Sequence, residues 1–278
     1  MSQPTDTEHQ QAPWTSWDAW LGSPPGKYVL NWEQTQFDHI VSDIFGYHAL
    51  QIGLPQLPAL AENRMPLQMI LRAPHDKPND EATGQWHTIQ GIPEELPFAS
   101  QSIDLVVLPH VLEFATDPHA VLREVERVLM PEGRVVISGF NPASLWGLRQ
   151  YCSHLVGQPY LPRDGQFIAL LRLKDWLKLL NFSVDRGRFG CYRLPLRSES
   201  GMQKLAFLEK AGDRWWPVLG SVFMVSAIKR VSTLTLVGRI EKGAAVNQAQ
   251  LSTVTQLNTS TQNNQLQSQL QNQLKDQA

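Results

Sequence analysis

The residues able to hold or act on a ligand stand at the ends of short apolar runs. His110 follows Ile103–Leu108, and Asn141 follows Arg134–Phe140. In an open α/β sheet the carboxyl ends of the strands flank the ligand crevice. That rule turns Leu108, Pro109, His110 and Asn141 toward whatever lies there. An imidazole titrates near neutrality, so His110 suits a general base for a hydroxyl, an amine or a carbon acid. A single loop histidine also suits a cap or a surface position. Asn141 offers a substrate both donor and acceptor, and before Pro142 it equally suits the start of a turn. Upstream, Tyr47–Ile52 runs into Gly53, where a first βα turn brings backbone N–H groups to a ligand. Gln51 and Leu54 flank that glycine. Pro55 then fixes φ and removes a donor, so the turn departs from the usual flexible geometry.

These positions need strands that end side by side, and the middle of the chain supplies them. Ser102–Pro142 holds two apolar runs of strand length, as strands covered on both faces require. Between them Val121, Leu122, Val125, Val128 and Leu129 recur at helical spacing and leave Arg123, Glu124, Glu126 and Arg127 on the other face. Asp117-Pro118 is a helix start, and Pro131-Glu132-Gly133 a stop. Strand, helix and strand with short connections make a βαβ unit. Further strands are predicted at Leu67–Leu71, Trp86–Gln90, Phe182–Arg188 and Val222–Lys229, with helices at Phe167–Leu180 and Met202–Ala211. Trp14, Trp17, Trp20 and Leu21 cluster at helical spacing before a Gly22-Ser23-Pro24-Pro25-Gly26 breaker. A second helix is expected within Tyr28–Phe45.

The run SIDLVVLPHVLEFATDPHAVLREVERVLMPEGRVVIS resembles the central region of class I S-adenosylmethionine-dependent methyltransferases of the small-molecule type 11 kind. The likeness extends upstream to Gly91–Phe98, similar to the family's G-D-A-E-x-L-P-F, and downstream to Asp175–Phe182. It spans roughly residues 49–230. It implies a doubly wound, mostly parallel α/β sheet of seven strands, S-adenosylmethionine as cofactor and a small-molecule methyl acceptor as partner. The family's glycine-rich turn falls on Gln51, Gly53 and Leu54, with Pro55 and Leu57 where two further glycines usually stand. Its ribose-binding acid falls near Arg72, which has no acceptor lone pair, and Asp76 follows a few residues later. Its adenine-binding Asp falls on Ile92; backbone groups of Ile92 and Pro93 would line that pocket, with Leu108 and His110 completing it. The family's VLEH ends here as Val111-Leu112-Glu113-Phe114. Two readings follow. One is a methyltransferase working by in-line methyl transfer, without a metal. The other is a non-catalytic relative whose remodelled pocket serves a partner or a different ligand. Leu57 or Pro55 filling the crevice beside Gly53 would exclude the usual cofactor.

Composition narrows the rest. The formal charge is −2 and no basic stripe appears, so nucleic acid is not implied as a partner. Cys152 and Cys191 are too few for a disulfide framework and match no metal-ligand spacing. The polar N-terminus lacks a secretory pattern, and Trp215–Ile228 is too short and interrupted for a membrane span, so a cytoplasmic protein is expected. The domains are read as a disordered 1–12, a helical arm over 13–45, the methyltransferase-like domain over 46–242 and a Gln/Asn-rich disordered tail over 243–278.

Overall fold

The computed structural model describes residues 15–74, 86–156, 161, 165–194, 204, 205 and 207–230. The expectations for residues 1–12, for Asp76 and for the tail over 243–278 fall outside them. Two helices come first, α1 (Thr15–Leu21) and α2 (Pro24–Val41). Strands follow as β1 (His48–Ile52), β2 (Leu67–Arg72), β3 (His87–Gln90), β4 (Ile103–Pro109), β5 (Leu129–Phe140), β6 (Phe182–Gly190) and β7 (Val222–Lys229). Between β4 and β5 lie α3 (Val111–Phe114) and α4 (Pro118–Val128), and between β5 and β6 lie α5 (Leu145–Val156) and α6 (Leu170–Leu179). Helix α7 (Phe207–Trp215) precedes the last strand. The strands form one sheet in the order β3-β2-β1-β4-β5-β7-β6. All pairings are parallel except those of β7, which is inserted antiparallel between β5 and β6. This is the doubly wound, mostly parallel architecture expected from the sequence.

Each face of the sheet has its own apolar layer. Leu50, Val106, Ile137 and Val225 face Val121, Leu122 and Val125 of α4 and Leu173 and Leu177 of α6. Ala49, Leu105, Val107, Val136 and Met224 belong to the other layer, with Trp17 of α1, Val29, Phe37 and Val41 of α2, and Trp146 of α5. Alternate residues of one strand thus serve opposite layers, as the pleat dictates. Asp117 caps α4 by accepting from the N–H groups of His119 and Ala120, with Pro118 at the first helical position.

The helical run breaks at Gly22-Ser23 as expected, but Pro24 to Gly26 already belong to α2. Ser23 adopts an extended cap conformation, its hydroxyl accepts from the Gly26 N–H, and Pro24 needs no amide partner in the first turn. The chain between β1 and β2 is a series of turns and carries no helix. The layer on that side of β1 is filled instead by α2 and by Leu54, Leu57 and Leu60 from those turns.

Candidate functional site

The carboxyl ends of β1, β4 and β5 come together under the N-terminal arm, and the side chains there are buried. Gln51, the penultimate residue of β1, is fully enclosed and works as a clasp. Its amide nitrogen donates toward the carbonyls of Gly53 (3.1 Å), Leu54 (2.9 Å) and Leu57 (2.8 Å), and its oxygen accepts from the Ala59 N–H at 3.0 Å. The turn so tied needs the left-handed region at Gly53 (φ 69°) and at Leu54 (φ 44°). Leu54 and Leu57 point into the apolar layer. Arg72 is buried at the end of β2, whereas Ile92 is largely exposed and Pro93 half-buried.

At the end of β4 the structure forms a cluster that sequence reasoning did not assemble. His110 is 1% exposed and holds φ at 54°. Its Nδ1 lies 2.8 Å from the Glu113 carboxylate, one turn along α3. Its Nε2 lies 3.0 Å from Oε1 of Glu33, which α2 delivers from the other side. That second contact is an ion pair with poor hydrogen-bond alignment, and neither Glu33 oxygen has a hydrogen-bond partner. Glu113 also accepts from the Phe140 N–H at the end of β5. Gly139 makes the space for this arrangement, since a Cβ there would lie 2.9 Å from the Phe223 ring and 3.1 Å from Oε1 of Glu113. Aromatic rings close the top. Trp17 sits 5.2 Å from His110, 4.7 Å from Phe114 and 5.8 Å from Phe140, and Phe140 sits 4.4 Å from His110, centroid to centroid.

The electrostatics follow from this geometry. Burial alone would lower the His110 pKa, but the Glu33 and Glu113 carboxylates overcome it and hold the imidazole up at about 10. His110 is therefore an imidazolium at neutral pH and has no free lone pair. That departs from the general base expected from its position in the chain. Burial raises the Glu113 carboxyl above the usual range, against the pull of His110. Two acidic side chains thus share one imidazole in a dry site.

Asn141 sits at the end of β5 as expected, but its amide serves the fold. It donates to the carbonyls of Val218 (2.8 Å) and Gly220 (2.9 Å) and accepts from the Ala143 N–H at 3.1 Å. A substrate contact through that amide nitrogen would have to break one of these bonds. The structure thus brings His110, Leu108, Gln51, Gly53 and Leu54 into one region and commits Asn141 to a turn. What sequence reasoning missed is Glu33 and Glu113. Glu33 had a signal: it lies four residues from both Val29 and Phe37, a carboxylate in the middle of a buried apolar stripe.

A cavity of about 500 Å³ opens beside this cluster at the β5 end. Its lining is mainly apolar and includes Pro142, Leu145, Leu148, Tyr151, Phe167 and Leu219. Phe167 packs edge-on to Phe140 at 5.7 Å, so one aromatic pair separates the cavity from His110. Among the described residues no group of His, Cys, Asp and Glu has the arrangement of a metal site, and no helix is long and apolar enough to cross a membrane.

Whether this region fits S-adenosylmethionine has two answers. The charge fits: an aromatic-walled site holding two acidic side chains suits an organic cation. The space does not fit: Trp17, Leu54, Leu57 and Phe140 are each no more than 1% exposed and fill the crevice between β1 and β5.

Comparison with known proteins gives the family. A family model described as a methyltransferase domain matches residues 67–137. The chain is 34% identical over 220 residues to the uncharacterised protein YafS of Escherichia coli K12, an alignment covering 79% of this chain and 83% of that protein. It is 33% identical over 105 residues to the ubiquinone/menaquinone biosynthesis C-methyltransferase UbiE of Vibrio cholerae, covering 36% of this chain and 38% of that enzyme. Among solved structures, a methyltransferase from Archaeoglobus fulgidus superposes with a TM-score of 0.52 at 18% identity, over 76% of this chain and 97% of that one. A possible histamine N-methyltransferase from Thermotoga maritima gives 0.53 at 13% identity, over 77% and 94%. At such identities these two structures speak for the fold. With the sheet order, the matched central unit and the relative matched over most of its length, the chain belongs to the class I S-adenosylmethionine-dependent methyltransferases of the type 11 family.

Proposed function

We propose that this protein is an S-adenosylmethionine-dependent methyltransferase acting on an apolar small molecule. One observation carries the reading: the buried anionic cluster at the end of β4 and the apolar cavity at the end of β5 share the Phe140–Phe167 wall. When bound, the cofactor supplies a methyl group on a cationic sulfur, open to in-line displacement. Glu33 and Glu113 supply the complementary negative charge, and His110 holds the two carboxylates at a fixed separation. The cavity buries an apolar acceptor and excludes water from its reacting edge, which is mostly a matter of alignment. Its volume suits a small molecule. Gln51 and Gly53 keep the β1 turn in one shape. Leu108, Ile92, Pro93 and Arg72, with Asp76 beyond the described residues, are the remaining positions assigned to the cofactor.

The test is calorimetry of the full chain with S-adenosylmethionine and S-adenosylhomocysteine, supported by thermal shift. Saturable heat and a raised melting temperature are expected. No heat and no shift at millimolar ligand would refute the reading. They would leave the second one, a non-catalytic relative, which is favoured by the crevice being filled by Trp17, Leu54 and Leu57.

A further inference from the structure

The mouth of the apolar cavity is rimmed by side chains that a water-facing surface does not ask for. Trp215, Trp216, Val218 and Leu219 are 68%, 58%, 61% and 44% exposed, and Pro217 among them is exposed as well. An unbroken apolar run facing water is a liability unless something covers it. Across the mouth, Leu145, Leu148 and Tyr151 recur every third residue along α5 and are also exposed. These three line the cavity together with Leu219, so the run and the helix are two lips of one opening.

The run is held from within. Asn141 donates to the carbonyls of Val218 and Gly220, and the Tyr192 hydroxyl donates to the Pro217 carbonyl at 2.7 Å. The Leu219 N–H donates to the Trp216 carbonyl, and the Trp216 N–H to the Gly212 carbonyl, both at 2.9 Å. A backbone paired this way enters a water-free medium without losing hydrogen bonds, whereas an added partner strand would need the same groups free. Charge agrees. Arg214 precedes the run and Arg149 follows Leu148 on α5. The neighbouring acids face elsewhere: Asp213 lines a separate pocket with Trp32 and Arg188, and Glu209 accepts from the Tyr28 hydroxyl and the Cys191 and Tyr192 N–H groups.

We propose that this face docks on an anionic lipid bilayer, with Trp215, Trp216, Val218 and Leu219 at the headgroup level and the cavity mouth turned toward the lipid. Indole rings favour that level because they join an apolar body to one N–H donor. The two arginines add attraction to acidic headgroups. The chain lies on the bilayer through this patch; among the described residues no helix is long and apolar enough to cross one. An apolar acceptor dissolved in the bilayer then reaches the cavity between the two lips without passing through water. That entry step rests on the methyltransferase reading, and the docking itself does not.

Flotation of the full chain with vesicles tests the docking with no cofactor present. Vesicles of equal parts phosphatidylcholine and phosphatidylglycerol should carry the protein upward, and phosphatidylcholine alone should hold it about fivefold more weakly. Trp216→Ser should weaken the association by about tenfold, and adding Val218→Asp should abolish it. Both side chains face outward, so the melting temperature should stay unchanged. Should the double variant not fold, Trp215→Ser is expected to repeat the loss seen with Trp216→Ser. No flotation with the anionic vesicles, or equal binding by the wild type and Trp216→Ser, would overturn the proposal. So would a lipid-free dimer in ultracentrifugation that Trp216→Ser dissociates, which would give the patch to a second copy of the chain. Loss of vesicle binding would leave the methyltransferase reading standing, and a failure to bind S-adenosylmethionine would leave the docking face standing.

Discussion

Removing the positive charge from the cluster is the sharpest perturbation available, and His110→Asn is the clean way to do it. His110 holds φ at 54°, in the left-handed region that most side chains avoid and asparagine tolerates. The variant therefore tests charge rather than backbone strain. With the imidazolium gone, Glu33 and Glu113 face each other across a site where both are almost wholly buried. Breaking a buried pair by deleting one partner costs about 3–5 kcal/mol. The loss should be largest below about pH 6.5, where the imidazolium's contribution is complete, and shrink as the pH rises toward 10. The wild type carries its own pH signature. The folded pKa of His110 lies above its ordinary value of 6.5, at about 10. Its stabilisation is thus complete below about pH 6.5 and fades as the pH rises through 10, because the unfolded chain releases the proton first. A tenfold change in proton affinity is worth about 1.4 kcal/mol, so the full span is on the order of 5 kcal/mol. Urea unfolding at pH 6, 8 and 9.5 measures both effects. A variant as stable as the wild type at pH 8, or one with the same decline between pH 6.5 and 9.5, would refute the charged cluster.

Two further outcomes follow from other parts of the site. Gln51→Glu replaces a donor with a carboxylate facing three carbonyl oxygens, and should destabilise more than Gln51→Ala, which strands the turn's polar groups at about 1–3 kcal/mol; denaturant midpoints compare the two. Trp17→Ala takes the indole out of the crevice, so it should lower the unfolding free energy by about 3–5 kcal/mol and yet raise the apparent affinity for S-adenosylmethionine, since the ligand no longer has to displace that ring. Weaker binding by that variant would show that the indole belongs to the bound state.

The fold was readable because its signals are local. Ile103–Leu108 and Val222–Lys229 are mainly apolar runs of strand length, as burial on both faces demands, and Asp117-Pro118 caps α4 with chemistry confined to four residues. The start of α2 was harder. Ser-Pro-Pro-Gly has the composition of a break, and only the Ser23 hydroxyl bonding to the Gly26 N–H turns it into a beginning. The positions of His110 and Asn141 were legible from the strand ends, but their states were not. An imidazole becomes a fixed cation only when Glu33 of the distant α2 joins the neighbouring Glu113 against it, and an amide is consumed only when Val218 and Gly220 arrive from the far end of the chain. Glu33 left a trace in the sequence, a charge within an apolar stripe, yet nothing local says which neighbour that charge was meant for.

The arm also sets a schedule for making the molecule. A ribosome delivers α1 and α2 before any strand exists, and domains complete themselves as later segments appear. Trp17 finds Phe114 and Phe140 only after β4 and β5 have been made, and Val29 and Phe37 share their layer with Met224 of the last strand. For most of synthesis the nascent chain therefore carries an indole, a phenyl ring and an unshielded carboxylate that belong in the interior. The half of the crevice that is made first is the last to meet its partner.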